Sequence, residues 1–144
     1  MPLLNETGQA VSFEEPEAAP PWSIRTLREA QNSRETRINQ KTGVVSLEIH
    51  DDFGEVEDLE HGLINGSIAR EWWDIHPDDP LSAVGQTHWT DTTRRGDWSV
   101  RTETFSELSA DADNFHVTAR IEAYEGRTRI FSRNFEKVIP RKLL

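Results

Sequence analysis

FHVTARIEAYE, residues 115–125, decides the fold. Phe115, Val117, Ala119, Ile121 and Ala123 recur at every second position. Successive side chains of a strand point to opposite sides of a sheet, so this alternation makes one apolar face and one polar face. Working outward, the same period of two runs through most of the chain from residue 34. SRETRI (33–38) and VVSLEIH (44–50) flank NQKTG (39–43), whose composition is that of a turn, and predict a hairpin. SIAREWWDI (67–75) puts Ala69, Trp73 and Ile75 on one face and Ile68 and Trp72 on the other. HPDDP (76–80) must interrupt it, because two prolines cannot join a central ladder. LSAVGQTHWTD (81–91) resumes, TTRRGD (92–97) turns, WSVRTETFSEL (98–108) runs back, and SADADN (109–114) turns again. TRIFSRNFEKVI (128–139) follows the turn at Glu125-Gly126-Arg127.

Long consecutive strands joined by short turns describe an antiparallel meander. The expected fold class is mainly β, about seven strands in a strongly curved sheet or open barrel. DDFGEVEDLEHG (51–62) reads as a strand end, a turn at Gly54 and an irregular acidic segment. EEPEAAPP (14–21) reads as an extended arm, and WSIRTLREAQN (22–32) as one short helix, because Ile24, Leu27 and Arg28 fall at helical spacing. The expected division is a Pro-rich arm or linker over 1–32 and a single β domain over 33–144.

The 144 residues suit one core; only 35% are hydrophobic, but five Trp and six Phe supply large apolar area. The formal net charge is −10, and between Glu48 and Asp79 eleven acidic residues face one base, Arg70. Such a surface repels phosphate backbones, which argues against nucleic acid as a partner. No basic amphipathic helix, apolar run of spanning length or signal-peptide pattern occurs, so a membrane is not expected and a cytoplasmic location is. Cysteine is absent, which removes disulfides, thiol nucleophiles and Cys-bound metals. Asn5-Glu6-Thr7 and Asn65-Gly66-Ser67 match the glycosylation pattern by chance in a chain that is not secreted.

No G-x-S-x-G elbow occurs, and the five histidines form no metal-binding array. No metal, cofactor or catalytic residue is therefore expected. Asp51-Asp52, Asp78-Asp79 and Asp111-Ala112-Asp113 are pairs of a kind that form turns. Arg95-Gly96-Asp97 is a hairpin turn rather than an adhesion motif. Arg101, Glu103, Arg120 and Glu122 predict cross-strand charge pairs on an exposed face. The remaining candidates are Trp72, Trp73, Trp89 and Trp98, with His88 and His116. On neighbouring strands of a curved sheet they would either fill a core or line a cup for a small hydrophobic ligand.

The ordered string IHPDDPLSA (75–83), THWT (87–90), RGDWSVRTET (95–104), FHVTARIEAYEG (115–126) and IPRKLL (139–144) resembles the C-terminal region of CocE/NonD-type hydrolases. These are acyl esterases related to X-Pro dipeptidyl peptidases. EEPEAAPPW (14–22) and TGVVSLEIHDDFGEVEDLEHGL (42–63) fit the same tail. The resemblance implies a much longer enzyme, with a Ser-Asp-His triad on an α/β-hydrolase domain, a helical cap and a jelly roll. No residue of the present sequence matches the triad. What the resemblance implies here is a non-catalytic accessory β domain serving packing, assembly or substrate access. Its expected partner is a hydrolase body in cis or trans, or further copies of itself.

Overall fold

The computed structural model describes residues 14–142. The first thirteen residues of the expected arm, Asn5-Glu6-Thr7 among them, and Leu143 and Leu144 at the end of IPRKLL lie outside them. The described residues form one open sheet of eight antiparallel strands: β1 (Ile24–Arg28), β2 (Gln31–Ile38), β3 (Val45–Asp58), β4 (Ile64–His76), β5 (Asp79–Arg95), β6 (Trp98–Ala110), β7 (Asn114–Glu125) and β8 (Thr128–Pro140). The order across the sheet is β1-β3-β4-β5-β6-β7-β8, and β2 also pairs with β3. The expected antiparallel meander is therefore the observed architecture.

The strands are longer than the sequence pattern suggests because the turns are short. Gly96-Asp97 joins β5 to β6 and Gly126-Arg127 joins β7 to β8. Each puts a glycine of positive φ at the first turn position. The β6–β7 turn is held by Asp111, whose Oδ1 accepts from the backbone N–H of Asp113 at 2.8 Å and of Asn114 at 2.7 Å. Asn39 does the same between β2 and β3, accepting from Lys41 and Thr42.

Three expectations are corrected. Residues 22–32 form no helix; Ile24–Arg28 and Gln31–Ile38 are edge strands, so regular structure begins before residue 33. The apolar content of that window is too low to cover a helix face, whereas an edge strand needs only β3's free hydrogen-bonding groups. The segment 51–58 does not wander, because β3 continues to Asp58 through a bulge. There Gly54 sits at φ +82, and a Cβ on it would come within 2.6 Å of the Arg28 carbonyl oxygen. The chain can cross from β1 to β2 only because that side chain is missing. Asp52 fixes the crossing. It accepts from the Gly54 N–H at 2.8 Å and pairs with the Arg28 guanidinium, which holds its carboxyl below the usual range. The third correction concerns the charge pairs and belongs to the surface they occupy.

The register assigns every strand residue to a face. One row reads Asn32, Asp51, Ala69, Trp89, Thr104, Ile121, Arg133 across the sheet. The next, on the opposite face, reads Ser33, His50, Arg70, His88, Phe105, Arg120, Asn134. No second layer covers either face among the described residues. Ala69 is the one apolar side chain there that is buried.

Candidate interaction surfaces

The two faces differ in kind. On the first, Ile38, Val45, Leu47, Trp73, Ile75, Leu108, Val117, Phe135 and Ile139 share the surface with Phe53, Trp89, Ile121 and Phe131. Phe53 and Trp89 stack with ring centroids 5.8 Å apart, and Ala69 lies on the strand between them. Gly85 stands directly opposite Trp73, whose ring lies over it; a Cβ there would come within 2.6 Å of that ring. Most of the large apolar side chains left exposed belong to this face, including Trp73 at 44%, Leu108 at 45% and Phe135 at 47% exposure. An uncovered apolar area of this extent is of the kind found at interaction surfaces.

Near one end of that face lies a depression of about 430 Å³, lined by Val45, Leu47, Trp73, Ile75, Leu108 and Phe115 among others. It is the apolar face seen locally, rather than a separate site.

The opposite face is polar and satisfies most of its groups within itself; His50 Nε2 is the one buried side-chain polar atom without a hydrogen-bond partner among the described residues. Glu103 accepts from the Thr90 hydroxyl at 2.8 Å, meets His88 Nε2 at 2.5 Å and has Arg101 at 3.3 Å. Glu122 accepts from the Tyr124 hydroxyl at 2.8 Å and from Arg129 at 2.9 Å, with Arg120 at 3.9 Å. The Tyr124 hydrogen bond is the chief reason its carboxyl titrates below the ordinary range. Arg25–Glu57, Arg28–Asp52, Arg37–Glu48 and Arg94–Glu55 extend the network over β1 to β5.

The expected charge pairs are here, but not across strands. Glu103 and Glu122 stand opposite each other in the register, like charge against like. Each carboxylate is matched by the arginine two residues away on its own strand, and by further donors. The arginines instead cross the sheet to aromatic rings: Arg101 lies 4.3 Å from the Tyr124 ring centroid and Arg120 4.3 Å from that of Phe105. His88 stacks on the other side of Phe105 at 4.1 Å. A groove of about 840 Å³ runs over this stack from Trp72 to Asn134 and Glu136.

The six residues singled out from the sequence do not converge on one cup. Trp73, Trp89 and Trp98 belong to the apolar face; Trp72, His88 and His116 belong to the polar one. Trp72 and His88 line the groove. His116 lies toward the β6–β7 turn, where its Nε2 is 2.7 Å from Asp111 Oδ2. With two backbone N–H bonds besides, this contact pulls the Asp111 carboxyl down to about 2. Phe105 and Arg120, which form the centre of the groove, were not apparent from the sequence. Their alternation only says that they share a face with Glu103 and Glu122. Which aromatic lies beside which arginine depends on register.

No group of three His, Asp or Glu side chains is arranged to hold a metal among the described residues, and no helix there is long and apolar enough to cross a membrane. Comparison with family models, curated proteins and solved structures returned no match.

Proposed function

We propose that the chain is a non-catalytic accessory β domain whose contribution is assembly: its apolar face joins another protein layer. The uncovered apolar face carries this reading. A sheet hydrophobic on one side must bury that side against another element, while most polar groups of the other side are paired within it. The resemblance to the tail of CocE/NonD-type hydrolases supports an acyl esterase or X-Pro peptidase-like body as the enzyme so served. The chemistry then resides on that body. Two assays test the reading. The isolated chain is expected to give no saturable turnover of short-chain p-nitrophenyl esters, and turnover abolished by one substitution in this chain would overturn the non-catalytic role. Sedimentation is expected to find it in an assembly, either with itself or with such a body. A stable lone monomer in the presence of both would overturn the assembly role.

A second reading rests on the groove over Trp72, His88 and Phe105. A small ligand with an apolar body and polar groups would find aromatic edges there beside Gln86, Asn134 and Glu107. Quenching of Trp fluorescence on titration with acyl and aromatic compounds, lost in Trp72→Phe, is the expected sign. Absence of quenching removes it.

A further inference from the structure

We infer that the layer covering the apolar face is a second copy of this chain, packed face to face about a two-fold axis that runs along β5. This rests on the assembly reading and names its partner.

Size is the first argument. Strand spacing of about 4.8 Å and a rise of about 3.3 Å per residue give the sheet a face of roughly 1,300 Å². Two such faces would bury roughly 2,600 Å², which falls in the range of about 2,000–5,000 Å² typical of permanent homodimers. Two equally twisted sheets also match each other in shape, which is why aligned sandwiches are a stable solution.

Charge chooses the axis. Apart from Arg34, held at 3.4 Å by Asp51, and Arg95 at a strand end, the bases of this face lie on the β8 margin, at Arg133, Lys137 and, just past the strand, Arg141 over Phe115. Its acids Asp51, Asp58, Glu71 and Asp91 lie on β3, β4 and β5, with Glu125 alone at the end of β7. A two-fold perpendicular to the strands would set β8 over β8 and bring Arg133 and Lys137 against their own copies. A two-fold along β5, the middle of seven strand positions, sets β8 over β2 and keeps each row in place. Arg133 of one copy then lies over Asn32 of the other, one strand from Asp51, while Lys137 lies over the row of Thr36 and Arg34 over that of Phe135, so none of these three meets a base.

The edges argue against side-by-side pairing. β8 carries Arg129, Arg133, Lys137 and Pro140, and β2 carries Arg34, Glu35 and Arg37. Charges and proline on an edge discourage another strand from adding to it. The face is what remains for self-association.

Sedimentation equilibrium of the full chain, with thermal unfolding at the same concentrations, tests this. The expected result is a dimer whose melting temperature rises with concentration, since the second layer arrives by mass action. Thr104→Lys, in the middle of the apolar face, weakens association at least tenfold, while Thr118→Lys, on the polar face, leaves it unchanged. Arg133→Glu weakens it as well, and adding Asn32→Lys to that variant restores it. If Thr104→Lys fails to fold, the wild-type chain and the other variants still decide. A wild-type monomer at every concentration overturns the dimer. If that monomer forms a one-to-one complex with an added acyl-esterase body, the assembly reading survives; if it engages neither, both fall. Equal weakening by Thr104→Lys and Thr118→Lys overturns the choice of face, and failure of Asn32→Lys to restore overturns the axis.

Discussion

The two faces of one sheet are built from the same strands, residue by alternate residue, yet they solve opposite problems. The polar face finds nearly all its partners at home, His50 Nε2 excepted: carboxylates take hydroxyls, histidine and arginines, and arginines lie on neighbouring rings. The apolar face finds almost none, and stacks Phe53 on Trp89 over Ala69, the one buried apolar side chain among the described residues. Stability therefore sits unequally on the two sides. Polar contacts in water are worth little each, whereas apolar area is worth much once it is covered.

Substitutions can break this contrast. Trp89→Ala, in the middle of the apolar face, is expected to lower the unfolding free energy by about 3 kcal/mol, as for a buried aromatic. Urea titration followed by circular dichroism measures it. A loss below about 1 kcal/mol would mean that Trp89 stays half in water and the face stays bare. Gly54→Ala probes the bulge both faces depend on. It forces a side chain into a backbone conformation of positive φ and against the Arg28 carbonyl, at an expected cost of about 1–3 kcal/mol by the same titration. Glu103→Gln removes a charge from a carboxylate of the polar face that has three partners, Thr90, His88 and Arg101. Its expected cost is at most about 1 kcal/mol, because the site lies near water. A larger loss would make the polar network a stabilising core in its own right.

The smallest effect belongs to the β6–β7 turn. Asp111 titrates at about 2 when folded, below its unfolded value. Its contribution is therefore fully present above the ordinary carboxylate range near pH 4 and is lost as pH falls through about 2. Chemical shifts of the Asp113 and Asn114 amides followed down that range should move with a midpoint near 2, and Asp111→Asn should abolish the movement.

Much of this was legible in the residues. The alternation in Phe115–Ala123 and the parity of Trp72 against Trp73 fixed strand type and opposed faces. Register was not legible. It decides that Glu103 meets Glu122 and that Trp89 meets Ala69, and period-two sequences tolerate any even slip. β1 was hidden for another reason. Its Ile24 and Leu27 do not stand at alternate positions and four of its five residues are exposed, so no period-two pattern announces it; the hydrogen-bonding edge of β3 creates the strand. Gly54 looked like a turn because its conformation is that of a turn, used here to bend a strand instead.

The pairing of each strand with its neighbour in sequence has a kinetic consequence. From β2 to β8 every ladder is a hairpin, and only β1 skips past its successor to reach β3. Contacts so local in the chain close small loops, and low contact order favours fast folding for an all-β protein. One sheet can then form quickly, hairpin by hairpin, within a single molecule. Covering its apolar face by a second copy is a bimolecular step, so refolding should show a fast phase independent of concentration and a later one that quickens as the protein is concentrated.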